Sequence, residues 1–266
     1  MTSGELGARH PQVKRLRALN RDRQARAAEQ AFVLEGPLLV AAALDRGVPL
    51  EAVYLGPAAR AAFAPLVARL IERAVPVHDL REGVLEKVGV TRTPQPVLGV
   101  APLHVGTLED LPPGADVLVA VDVSDPGNLG TMVRSAEAAG AGAVVVCGDS
   151  VDAHNPKAVR SSAGAVLGVP VVPARDTSAA LDALHRAGRR CVAAAAHGGG
   201  SLDALSHPGP VALVVGNEVR GLHADLGDRL DAVVTIPLHG PAESLNVAMA
   251  ATVLLFERDR RTEAPA

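Results

Sequence analysis

The chain has 266 residues, 48% of them hydrophobic and 21% charged, with a formal net charge of −3. That length and apolar fraction suffice for one large or two modest globular units, and a negative balance excludes a protein that coats nucleic acid with its whole surface. No apolar run approaches the roughly 18 residues of a membrane span and the opening MTSGELGARH lacks a signal-peptide core, so the expected location is the cytoplasm.

The charge is unevenly spread. Residues 1–28 hold Arg9, Lys14, Arg15, Arg17, Arg21, Arg23 and Arg26 against Glu5 and Asp22, a local charge of +5 that leaves −8 for the remainder. The spacing predicts a helix over 10–30, with Lys14, Arg17 and Arg21 three and four residues apart on one face. Such a face fits the phosphates of RNA, or is simply a solvated helix surface. Beyond it the pattern predicts strands over 32–35, 50–55, 75–78 and 97–102 and helices over 37–46, 58–73 and 79–88. The prolines of 91–96 make a loop. This small α/β unit is expected to cover 1–103, with a Pro- and Gly-containing linker at 104–115 and a second unit over 116–266.

The second unit opens with the strand VLVAVDV, the loop SDPGN and a helix to Ala139, in which Asn128 is placed as N-cap, Gly140 as the residue past the end and Arg134 near the middle. Strands over 143–147, 169–172, 191–195, 211–215 and 233–236 alternate with helices such as 177–187, which predicts a parallel sheet with helices on both faces. A last helix over 244–258 is apolar nearly all round and is expected to be buried on more than one side, with a subunit interface favoured over a central core helix.

Two strands end in polar loops, one at Gly216 and Asn217, the other at Pro237. Ligands in open parallel sheets sit beyond the carboxyl ends of strands, so the loops carrying Asn217, Glu218, Glu243, Ser244 and Asn246 form a candidate pocket. Taken singly, each is also what any βα turn requires. Rival chemistries lack their signatures: there is no G-x-G-x-x-G between strand and helix, no phosphate loop and no G-x-S-x-G elbow. His154, His197, His207, His223 and His239 lack ligand spacing, and Cys147 and Cys191 sit beside apolar runs, so neither metal nor disulfide is expected.

Three segments together narrow the reading. Asn128, Gly130 and Arg134 form N-x-G-x-x-x-R, residues 216–222 read G-N-E-x-x-G-L, and residues 236–246 carry I-P-L followed by E-S-L-N. In this order they resemble the three motifs of the SpoU/TrmH RNA ribose 2′-O-methyltransferases of the SPOUT superfamily. Residues 155–170 (NPKAVRSSAGAVLGVP) are similar to that family's intervening segment, and the part before about 104 resembles its ribosomal-protein-like substrate-binding domain, most clearly in AFVLEGPLLVAAAL and VPLEAVYLG.

The resemblance implies an α/β fold with a trefoil knot, a homodimer and S-adenosylmethionine as cofactor, lined by Gly216, Asn217, Ile236, Leu238, Leu245 and Asn246. It implies Arg134, Asn128, Glu218, Ser244 and Asn246 as the residues around the reacting ribose, and ribosomal RNA as substrate. It also casts Arg134 as general base, whereas a guanidinium stays protonated and suits electrostatic work better. Gly216 is expected to leave room for the cofactor that a larger residue would fill. Two alternatives stay open: an inactive RNA-binding or ribosome-assembly factor with this fold, and a transfer RNA ribose methyltransferase. Housekeeping and antibiotic-resistance roles are equally open.

Overall fold

The computed structural model describes residues 5–91, 93–217 and 220–263. The chain divides into two compact units, one made of Met1–His104 with His154–Leu167, the other of Val105–Ala153 with Gly168–Ala266.

In the first unit the chain runs α1 (Pro11–Arg21), α2 (Arg23–Glu29), β1 (Ala31–Glu35), α3 (Pro37–Asp45), β2 (Ala52–Leu55), α4 (Ala59–Ala62), α5 (Ala64–Glu72), β3 (Val77–Asp79), α6 (Leu85–Val88) and β4 (Val97–Pro102). The sheet order is β1-β4-β2-β3, antiparallel except for the β2–β3 pair. Val13, Leu16 and Leu19 of α1 enter its core beside Val33, Tyr54 and Leu98.

The continuous helix expected over 10–30 is broken at Asp22, which takes an extended conformation, ends α1 and caps α2 by accepting from the Gln24 N–H at 2.8 Å. A short acid that bonds its own backbone competes with the helix there. Likewise 58–73 divides at Phe63, and only Leu85–Val88 of the 79–88 stretch is helical. Residues 154–167 belong to this unit through His154, whose ring meets Phe32 edge-on at 4.8 Å, and Arg160. The buried Glu35 carboxylate accepts from Arg160 Nη1 at 3.2 Å, Thr91 Oγ1 at 3.2 Å and the Gln95 N–H at 3.2 Å, so its charge is fully partnered.

The second unit contains β5 (Val117–Val121), α7 (Pro126–Ala138), β6 (Ala143–Cys147), β7 (Val171–Ala174), α9 (Thr177–Arg186), β8 (Arg190–Ala194), β9 (Val211–Val215), β10 (Ala232–Val234) and α10 (Val247–Glu263); α8 (Pro156–Ser161) groups with the first unit. Its six strands pair in the order β10-β8-β9-β5-β6-β7, every pair parallel. Val117, Val119 and Val121 of β5 and their neighbours on β6, β8 and β9 pack with Leu181 and Leu184 of α9 on one face. The alternate residues point to the other face, where α7 and α10 pack on each other and on the sheet. Fully buried strands need the β-branched runs seen in the sequence.

The N-cap of α7 is Asp125, which accepts from the Asn128 N–H at 3.0 Å, so Asn128 lies inside the first turn instead of capping it. Pro126 at the first helical position sets that earlier start. In the last helix Val247, Ala248, Ala251, Leu254 and Leu255 are buried and Met249, Val253 and Phe256 are exposed, so one side of α10 is open within the chain.

Candidate active site

The carboxyl ends of β8, β9 and β10 open into a cavity of about 640 Å³. It is lined by residues 193–197 after β8, by Gly216, Asn217, Leu222 and His223 after β9, and by Ile236, Leu238, Glu243, Ser244 and Leu245 after β10. Both loops singled out from the sequence therefore face one space. The sequence reading missed the third contributor, residues 193–197 at the end of β8; its signal was a small-residue stretch at a strand end, where a ligand can approach backbone closely.

Gly216 is buried, and a Cβ there would come within 2.6 Å of the Gly221 backbone. The close neighbour of that position is the returning chain at Gly221 and Leu222, and Gly216 also lines the cavity. Asn217 and Gly221 exchange backbone hydrogen bonds of 3.1 and 2.9 Å, closing a tight loop. The Asn217 side chain works within that fold: its Nδ2 donates to the Asp122 carbonyl at 2.8 Å and its Oδ1 accepts from the Arg220 N–H at 3.0 Å. Its contribution to the cavity is to shape the wall. Glu218 lies outside the described residues.

Ile236, Leu238 and Leu245 are half-buried apolar walls, and Ser244 and Glu243 are exposed at the rim. Asn246 caps α10, its Oδ1 accepting from the Ala248 N–H at 2.9 Å, and its Nδ2 donates to Asn128 Oδ1 at 3.1 Å. The structure thus joins two predicted residues 118 positions apart, across the start of α7 and the start of α10. The contact between the two helices is reinforced by Ser135 and Thr252, whose hydroxyls meet at 2.6 Å.

Arg134 is exposed on α7, its side chain has no hydrogen bond or ion pair among the described residues, and it is not part of the cavity lining. Six residues along a helix turn the side-chain direction by about 240°, so Arg134 does not share the face on which Asn128 meets Asn246. In the first unit, Lys14, Arg17 and Arg21 are exposed together on one side of α1 while Val13, Leu16 and Leu19 face the core. Arg15 is held by Glu29 and Glu51, and the buried Arg26 donates to the Leu19 carbonyl at 2.7 Å. The available positive charge of the arm is accordingly narrower than its composition.

One group of three ligand-type side chains occurs among the described residues: His185, Cys191 and Asp231, at the opposite ends of the strands from the cavity. Asp231 Oδ2 takes His185 Nε2 at 2.9 Å and the Cys191 N–H at 2.7 Å, and burial pushes the Cys191 thiol up to about 12.

Comparison with known proteins bears directly on this geometry. Residues 116–256 match the model of the SpoU rRNA Methylase family, and residues 10–99 match that of the MRM3-like substrate binding domain. The chain is 33% identical over 249 residues to RlmP of Bacillus subtilis, a 23S rRNA guanosine 2′-O-methyltransferase, covering 94% of this chain and 96% of that protein. An AdoMet-bound rRNA methyltransferase from Sinorhizobium meliloti superposes with a TM-score of 0.83 at 32% identity, over 98% of this chain and 99% of that one. The SpoU methyltransferase AviRb of Streptomyces viridochromogenes, in complex with AdoMet, superposes at 0.81 with 28% identity, over 95% and 98% of the two chains.

Proposed function

The chain belongs to the SpoU rRNA methylase family, and on that premise we propose that it methylates a ribose 2′-hydroxyl of large-subunit ribosomal RNA with S-adenosylmethionine as methyl donor. The observation that carries the reading is the cavity itself, in which the two motif loops and the β8 loop converge. Its volume falls within the range of about 300–1,000 Å³ usual for small-molecule sites. Apolar walls from Ile236, Leu238 and Leu245 suit an adenine ring, and the backbone around Gly216 and Asn217 can serve polar edges, with Asn246 holding the start of α10.

Bound there, the cofactor supplies an already activated sulfonium methyl group. What remains for the protein is to hold the ribose oxygen in line and to stabilise it as its proton leaves, tasks of position and electrostatics. Arg134 carries the charge for this work. A guanidinium cannot abstract the proton, but it can lie beside the developing alkoxide and grip a substrate phosphate through its planar fork. Asn128, Ser244 and Glu218 order the ribose side of the site, the last on the strength of its motif alone.

Because Arg134 does not line the cavity of its own chain, the reading includes a homodimer in which a second copy supplies it. The exposed stripe of Met249, Val253 and Phe256 on α10 is the surface proposed to cover. The trefoil-knotted chain path is part of the same reading. Lys14, Arg17 and Arg21 are assigned to RNA phosphates, and ribosomal RNA as substrate places the work in the cytoplasm; no helix among the described residues is long and apolar enough to cross a membrane.

Single-turnover methylation with Arg134→Ala tests the chemistry. Turnover is expected to fall by a factor of about 100–1,000, as for loss of one donor to a developing oxyanion, with cofactor affinity unchanged; near wild-type rates remove Arg134 from the mechanism. Mapping ribose methylation on total RNA from a deletion strain tests the substrate, and loss of a mark on transfer RNA alone would replace the ribosomal assignment.

A further inference from the structure

Two residues of the cavity wall after β9, Asn217 and His223, are fastened to one residue outside the recognised motifs. Asp122 follows β5, which lies between β9 and β6 in the sheet. Its φ of 52° is left-handed, a conformation that Asp and Asn tolerate better than other residues with a side chain. From the β6 side the carboxylate is set by the Asp149 N–H, which donates to Oδ1 at 2.8 Å. Gly148 makes room for it, since a Cβ there would stand 2.2 Å from Oδ1. The other carboxylate oxygen and the main-chain carbonyl are left for the cavity loop. His223 Nε2 meets Oδ2 at 2.9 Å, and Asn217 Nδ2 donates to the carbonyl at 2.8 Å.

We infer that Asp122 is a positioning residue for the cofactor cavity, holding the two wall residues Asn217 and His223 in their places. Both of these partners line the cavity. The Asp122 side chain is only 14% exposed against 57% for His223, so the shielded carboxylate anchors the more exposed ring. A carboxylate accepts, so the imidazole Nε2–H is the donor, and the ring on the cavity wall is held in one orientation and one tautomer. The inference rests on the placement of S-adenosylmethionine in this cavity.

Asp122→Asn keeps the size and the left-handed backbone but offers one acceptor oxygen where two donors need one. Titration calorimetry of S-adenosylmethionine into the full-length chain is expected to show roughly tenfold weaker binding for Asp122→Asn and for His223→Ala, the loss of one charge-assisted hydrogen bond. The double variant should lose no more than either single one, because both remove the same contact. His223→Gln, which restores a donor, should recover most of the affinity. With cofactor saturating, kcat of Asp122→Asn should stay within about twofold of wild type, a split between KM and kcat that general destabilisation would not give. Unchanged affinity in both single variants, or additive losses in the double one, overturns the inference. Ile236→Arg, a charge in the apolar wall, separates the two levels of failure. If it abolishes binding while Asp122→Asn does not weaken it, the positioning role alone fails; if neither variant weakens binding, the placement of the cofactor fails as well.

Discussion

The two ends of the parallel sheet are built on different principles. At the end where β5 and β9 begin, Arg258 of α10 is 5% exposed and spends its guanidinium on a dense set of acceptors: Asp116 Oδ2 at 2.7 Å and the carbonyls of Leu205, His207 and Gly209. Asp116 in turn accepts from the Val211 N–H at 2.6 Å, and Arg189 donates to the carbonyls of Ala115 and Pro112. At the other end, β8, β9 and β10 run into half-exposed loops whose shape depends on a close glycine contact and one left-handed aspartate. The first arrangement satisfies buried charge with fixed partners and so resists opening. The second leaves polar backbone and apolar walls turned toward a cavity, which binding requires and stability does not. Stability and binding in this unit are thus separated along the strand direction.

The largest test of that separation is Arg258→Ala, which takes the cationic donor from Asp116 and leaves three carbonyls without its hydrogen bonds. Urea unfolding is expected to show a loss of about 3–5 kcal/mol, the usual result of removing one partner of a buried pair, with cofactor affinity of the folded protein near wild type. A parallel fall in affinity would mean that the two ends are coupled.

Gly216→Val attacks the binding end. The new side chain collides with the Gly221 backbone, so the loop must shift; overpacking of this kind costs about 1–3 kcal/mol. Calorimetry should show cofactor affinity falling more steeply than stability, and equal losses in both would dissolve the distinction.

The smallest effect concerns pH at the clamped end. Hydrogen bonds from Arg260 and Arg261 hold the Glu257 carboxyl down at about 2. A carboxyl depressed on folding contributes stability that is present above its unfolded value of about 4.3 and is lost as pH falls toward 2. Glu257→Gln should therefore flatten the acid limb of a stability profile between those values, by no more than about 1 kcal/mol because the pair is solvent-screened. The cavity end should show no change in cofactor affinity at neutral pH.

Local chemistry carried much of this molecule into view. The β-branched runs of β5, β6 and β9 and the Gly and Pro stops after them are periodic signals that a short window contains, and they gave a parallel sheet and two of the three loops at its binding end. Where a side chain bonds its own neighbourhood, the window misled: Asp22 breaks the arm and Asp125 displaces Asn128 from the cap, because a short acid can satisfy backbone donors that periodicity assigns to a helix. Long-range partners lay beyond it altogether. Nothing near Asn128 foretells Asn246, nothing near Asp122 foretells His223, and nothing near Gly216 foretells the Gly221 backbone that stands against it. Sequence by itself determined the elements, their order and the residue types available for methyl transfer, since these follow from propensity and alternation along the chain. Which of those residues touch was decided by the tertiary structure alone, because hydrogen bonds and steric contacts between strand ends exist only once the sheet has brought distant segments within a few ångströms.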